Sequence, residues 1–370
     1  MKIFFRYRRI YLLFLTPISF LLILLARKSS FFSEQIYAKH IYKRISQLIS
    51  SITGLFPFSV AELLVILLPV VILVILLRFT LRMILDKKDR GERWKRGILN
   101  VLCTISILLF LFTILAGLNY YRYPFTSYSG LEVAESSVEE LYSLTESLML
   151  KANELRAQAT VVDDYGAFKL SVSDTKLAKL ANDAMRLLAE DYPVLEGAYG
   201  APKPILFSKL MSQTEITGIF FPFTMEANVN VDVPDYSIPV TMLHELAHLR
   251  GFMREDEANF VAYLAGIKSE SVDLNYSSTM LALIISGNAL YDQSPELYFQ
   301  VRTRYSDELV KDIRANTEYW QQYEDTVVST VSNRINDTYL KANAQIDGVK
   351  SYGRMLDLLL AQYRSENNEQ

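Results

Sequence analysis

The sequence predicts a mostly α-helical protein with a small β-sheet, an α+β class, in which three N-terminal transmembrane helices precede an extracytoplasmic domain. Three observations carry this prediction. The chain is 51% hydrophobic over 370 residues, and the excess is concentrated in three long apolar runs before residue 119. Helical periodicity dominates the rest of the chain. Between residues 204 and 233 the pattern changes to short alternating runs of strand character.

The apolar runs cover residues 10–26, 59–77 and 98–118, each about as long as a bilayer-spanning helix requires. The second and third contain no charge except Glu62, near one end. No small-x-small cleavage site follows the first run, and Arg27-Lys28 closes it, so it reads as a span rather than a removed leader. These runs define a membrane domain at 1–118 and an outer domain at 119–370.

Basic residues orient the spans. Lys2, Arg6, Arg8 and Arg9 precede the first, and the loop 78–96 between the second and third is densely basic. Both should be cytoplasmic. The segment between the first two spans then lies outside, and its portion 42–52 has an amphipathic rhythm that suits a membrane-surface helix or a solvated one. Everything after about Tyr120 is also outside, which makes this a multi-pass cell-membrane protein with the lipid bilayer as a partner.

Charge agrees with the division. Residues 1–118 hold 17 Lys/Arg and 5 Asp/Glu, leaving 21 and 36 for the remainder, so the two parts carry +12 and −15. An acidic outer domain is not a nucleic-acid binder. The one cysteine, Cys103, falls in the third run, so the outer domain has no disulfide and depends on a packed core. That usage points to a bacterial, Gram-positive source. Oligomeric state leaves no trace in the sequence.

In the outer domain, helices are expected from about 133 to 157 and from 174 to 191, the latter capped by Ser173 or Asp174. Strand-like runs come next at 205–208, 218–221 and 227–233. After them come an apolar helix at about 280–290, a short helix at 294–304 and a longer one at 307–343. Two glycines then interrupt the pattern around Tyr352 and Arg354, in a loop that could return to a substrate or simply connect two helices. The polar tail from 364 should fray.

The chemistry is concentrated in one stretch. His244, Glu245 and His248 form a His-Glu-x-x-His motif flanked by apolar residues, and the chain has three histidines in all. On a helix the two imidazoles share a face and can converge on one ion, while Glu245 reaches a water on that ion. Such a site needs a third ligand. Glu255 and Glu257 lie just beyond in Glu255-Asp256-Glu257-Ala258-Asn259, two residues apart, so one helix cannot aim both at the same metal.

This pair of segments resembles the active-site helices of the gluzincin metallopeptidases, whose second helix carries Glu-x-x-Ala/Ser-Asp/Asn. The resemblance implies a zincin-like domain with zinc on His244, His248 and Glu255, Asn259 orienting a ligating imidazole, and Glu257 as the alternative ligand. It also implies a substrate strand beside the active-site helix, assigned to residues 226–231, and an oxyanion donor beyond the ligand helix, for which Tyr276 is the candidate. The link between His248 and Glu255 is tighter than most gluzincins use. Gly251 matches the metzincin run instead, but Arg254 stands where that run needs its third ligand. Residues 237–276 also resemble an uncharacterised family of bacterial membrane proteins carrying His-Glu-Leu-Ala-His, Arg-Gly and Glu-Asp-Glu-Ala-Asn-Phe.

These readings predict a membrane-anchored zinc hydrolase that cleaves a peptide or protein substrate. Glu245 would act as general base. The alternatives are a non-catalytic receptor or scaffold with a relic or structural zinc, and a transporter. The transporter reading is disfavoured because the spans lack buried ionisable residues other than Glu62.

Overall fold

A computed structural model describes residues 8–343, 345 and 354–368. Among the described residues three helical stretches are long and apolar enough to cross a membrane: Arg9–Lys28, Val60–Leu85 and Arg90–Leu115. The first is a 3-10 turn, Arg8–Phe14, running into α1 (Leu15–Lys28); α2 (Lys43–Thr53) precedes the second, α3 (Val60–Leu85), and the third is α4 (Arg90–Leu115). The second and third helices extend beyond the apolar runs. The basic stretch expected as a loop at 78–96 is helical except for residues 86–89, because Arg, Lys and Leu favour helix. Arg93 reaches back across the turn to Asp86 and to the Arg82 carbonyl. The first and third spans pack together, and small polar residues tie them: Ser106 Oγ accepts from Thr16 N at 3.1 Å and donates to Leu12 O at 2.8 Å.

The segment between the first two spans is built into the body formed by the chain after residue 119. It opens as a π-helix, Phe32–Tyr42, and continues into α2. Glu34 is fully buried against Arg122, Ser50 Oγ accepts from Gly200 N at 3.0 Å, and Lys203 Nζ donates to Thr53 O at 2.7 Å. The boundary expected at 118/119 therefore does not separate two independent bodies. Residues 32–58 share a core and the buried Glu34–Arg122 ion pair with the described residues after 119.

Helices dominate that body. α5 (Val138–Gln158) is capped by Ser137, whose side chain accepts from Glu140 N, and α6 (Asp174–Asp191) buries Leu177, Ala181, Met185 and Leu188 at helical spacing. The sheet has three strands in the order β1-β3-β2: β1 (Lys203–Pro204), β2 (Gly218–Phe221) and β3 (Glu226–Val229), with β1 parallel and β2 antiparallel to β3. Most of the expected strand at 205–208 is instead a turn leading into a short helix, α7 (Ser208–Gln213). The Ile205 carbonyl accepts from Ser208 Oγ there.

Next come α8 (Ile238–Leu249), α9 (Glu255–Lys268) and α10 (Val272–Gln293), a buried trio that carries the motif residues. α11 (Pro295–Arg302) and α12 (Asp307–Gln321) come after them. The single helix expected at 307–343 is two, because the chain turns at 322–326, where Asp325 takes φ 56° and Thr326 caps α13 (Val327–Ala342). Tyr352 lies outside the described residues. α14 (Met355–Asn368) includes most of the tail expected to fray, and Arg364 pins it to Glu140.

Candidate metal centre

α8 begins after Pro234, with Pro239 in its first turn, where a missing N–H costs nothing. The helix is apolar almost all round, so it is buried against the sheet, α6, α9 and α10. Its C-terminal end is held from outside. Tyr42 Oη donates to the carbonyls of His248 and Leu249 at 3.3 and 3.2 Å, and Arg122 Nη1 donates to Arg250 O at 3.2 Å. Gly251 comes next at φ 90°, where a Cβ would lie 3.0 Å from both Tyr42 and Arg122. The chain turns back there and enters α9.

That reversal brings His244, His248 and Glu255 together, with one possible ligand atom from each lying within 4.8 Å of the others. Glu255 Oε2 is 3.1 Å from His244 Nε2 and 3.6 Å from His248 Nε2. Both imidazoles are fixed through their other nitrogen. His244 Nδ1 is 2.7 Å from Asn259 Oδ1, and His248 Nδ1 is 2.7 Å from the Phe252 carbonyl. Since a carbonyl only accepts, His248 carries its proton on Nδ1, and Asn259 directs His244 in the same way. Both Nε2 atoms then present lone pairs toward Glu255.

Three acceptors facing one another in a buried space are a group that can hold a cation between them. Without one, His248 takes up a proton: burial works against its charged form, but Glu255 and Glu245 beside it raise its pKa to about 9. Glu255 responds in the opposite sense. Burial alone would raise its carboxyl, yet His248 and His244 hold it far below the usual range. A His-His-carboxylate set with fixed imidazoles suits zinc. Among the described residues no further His or Cys joins it.

Glu257, the alternative ligand, is turned away. Its Oε1 accepts from Phe125 N at 2.6 Å and pairs with Arg254. Asn259, at the same time, sits where an orienting partner for His244 is needed.

Glu245 is buried beside the cluster, and its Oε2 has no hydrogen-bond partner. Burial raises its pKa; the two imidazoles oppose this, Glu255 reinforces it, and a backbone bond from Phe220 opposes it. That last contact comes from β2, a strand whose sequence carries no sign of a link to the site. Gly218 starts the strand so close to α8 that a Cβ there would fall 2.4 Å from Glu245 Oε1 and 2.6 Å from Thr241. The ring of Phe220 lies 6.5 Å from that of His248.

The structure corrects two expectations. The strand assigned to extended substrate, 226–231, contains β3, which is fully buried, lies between β1 and β2 and is paired on both sides at Asn228 and Val229, so it is not the free edge. Glu226 instead accepts from Val60 N and Ala61 N at the start of α3 and pairs with Lys203. The edge strand beside α8 is β2. Tyr276, the oxyanion candidate, is wholly buried on α10, and its hydroxyl donates to Asp312 at 2.6 Å. Asp312 also takes Arg156 and Phe168 N, so Tyr276 belongs to a structural network.

The structure also shows neighbours of the site that the sequence does not announce: Tyr42 and Glu34, from the segment between the first two spans, and Arg122, just after the third, which together brace the end of α8. The charge pair Glu34…Arg122 is the available signal, but a pairing across 88 residues is not visible in a one-dimensional pattern.

No curated protein and no solved structure matches this chain. A family model described as "Protein of unknown function (DUF3810)" matches residues 37–360, from within the π-helix to the last helix.

Proposed function

The chain belongs to this family of unknown function, and from that premise we propose that it is a membrane-anchored, zinc-dependent hydrolase, a peptidase of gluzincin-like type. The observation that carries the reading is the convergence of His244 Nε2, His248 Nε2 and Glu255 Oε2, with each imidazole fixed from behind. These three residues would hold the metal. When bound, zinc supplies Lewis acidity toward a carbonyl and a water at one point.

The chain's own residues supply the rest. Glu245 Oε2, lacking a partner and shielded from solvent, is the atom that takes up a proton from the attacking water and returns it to the leaving amine. The backbone N–H of Phe220 holds that carboxylate in position. The edge strand β2 lies alongside, and an extended polypeptide adding to it would be carried past Glu245 by main-chain hydrogen bonds. In this reading the N-terminus is cytoplasmic and the domain lies on the outer face, as the basic flanks suggest.

The test compares the purified full chain with Glu245→Gln on a mixture of unfolded polypeptides, reading new termini by mass spectrometry. The wild type should generate them and the variant should not, with zinc retained by both. Equal cleavage by the two would overturn the assignment of Glu245.

A further inference from the structure

α13 is built inside out. The side that meets the body is mostly polar: Ser329 is buried, Ser332 Oγ donates to Thr214 O at 2.8 Å, and Asn333 Nδ2 donates to Glu215 at 2.7 Å, with Leu340 in the last turn the one apolar residue buried there. The exposed side carries Val328, Val331, Ile335 and Tyr339, spaced to share an arc of roughly 80° on a helix. Val331 is 50% and Ile335 64% exposed. A helix on a water-facing surface has the reverse arrangement.

Contacts at its end say what this face meets. Tyr339, on the apolar arc, places its ring 6.1 Å from Phe112, one turn before the end of the third span, and its hydroxyl 2.9 Å from Tyr120. The arc therefore ends against the C-terminal end of the third span. The start of α13 lies beside Thr214 and Glu215, just after α7, and Glu62 of the second span accepts from Leu206 N and Phe207 N just before that helix. α13 thus runs between the same-side ends of two spans, as a helix lying along the membrane plane would.

A second helix has the same inversion. α2 buries Ser46, Ser50 and Thr53 and exposes Leu48 and Ile52, and it too is held between span ends, those of the first and second.

We propose that α13, with α2, is seated in the bilayer interface, its apolar arc in the acyl boundary, so that the body rests on the membrane. Basic Arg334 and Lys341 flank the arc and suit the headgroup layer. Three residues beyond the end of α13, the chain touches the metal centre: Gln345 Oε1 accepts from Glu255 N at 3.2 Å. The group of His244, His248 and Glu255 is thereby placed at the membrane surface. If the hydrolase reading holds, its substrates are polypeptides presented there, such as segments flanking a membrane anchor.

The experiment uses the full chain with Cys103→Ser, one copy per nanodisc of phosphatidylcholine and phosphatidylglycerol. Spin labels are attached singly at Val331→Cys, Ile335→Cys and, as a solvent-facing control on the same helix, Thr330→Cys. Accessibility to oxygen is compared with accessibility to a water-soluble nickel chelate. The seating predicts an oxygen-to-nickel ratio several-fold higher at 331 and 335 than at 330. Equal ratios at all three positions would overturn it. So would protection of 331 and 335 from both reagents, which would mean that protein covers the arc. The readout is independent of activity, so failure of the hydrolase reading would leave this result standing.

Discussion

Asn259 Oδ1 lies 2.7 Å from His244 Nδ1, and this one contact ties the second ligand helix to the first. It leaves Nε2 of His244 facing Glu255 and fixes the ring against rotation. Asn259→Ala should weaken zinc binding by about 10- to 100-fold, the usual cost of losing a partner behind a ligand. Competition against a chromophoric chelator measures this; unchanged affinity would remove Asn259 from the site.

Glu257→Ala separates the two neighbouring glutamates by function. Its carboxylate accepts from Phe125 N and pairs with Arg254, so its loss leaves a buried N–H without a partner and should lower stability by about 1–3 kcal/mol. Zinc stoichiometry should stay at that of the wild type. Thermal unfolding and metal content on the same sample read both effects.

At Gly218 a methyl group would collide with Glu245 Oε1. Gly218→Ala should therefore displace the carboxylate or the edge strand and lower kcat by an order of magnitude or more, as small misplacements of a catalytic group do. Metal content should be unaffected. A fully active variant would mean that Glu245 tolerates displacement and is not the base.

Tyr276→Phe tests the reassignment of that residue. Removing the hydroxyl deprives Asp312 of one donor in a buried network, with an expected loss of about 1–3 kcal/mol in stability. Turnover per folded molecule should be unchanged. A large fall in kcat without a fall in Tm would restore an oxyanion role.

The buried pair of Glu34 and Arg122 makes the segment before the second span part of the domain. Glu34→Ala leaves the guanidinium uncompensated and should destabilise the protein by about 3–5 kcal/mol. For the same reason a fragment beginning at residue 119 should not fold stably. Cooperative unfolding of that fragment at the Tm of the full chain would contradict this.

Much of this architecture is legible in the sequence, where a local pattern determines a local structure. The three spans come from uninterrupted apolar runs, α6 from its spacing and its boundary at Asp174, and the two ligand helices from His-Glu-x-x-His and the glycine that turns the chain. The illegible part depends on partners distant in sequence. Alternation gives strand character to 218–221 and 227–233, the second observed at Glu226–Val229, but does not say which lies in the middle, so the edge is assigned to the wrong one. Tyr276 is placed by distance along the chain, and the aspartate that engages it lies 36 residues on. The amphipathic rhythm at 42–52 does not announce which face packs on the body, because much of the buried face of 32–53 is made of serine, threonine and one glutamate.

The most direct measurement is zinc content of the purified full chain by elemental mass spectrometry, for wild type, Glu245→Gln and Glu255→Ala. One zinc per chain in the first two, and loss in Glu255→Ala with its fold intact, is the predicted result. A folded wild type that takes up no zinc when supplied with it, or a Glu255→Ala protein that still binds one equivalent with wild-type affinity, would contradict the metal centre and the hydrolase built on it.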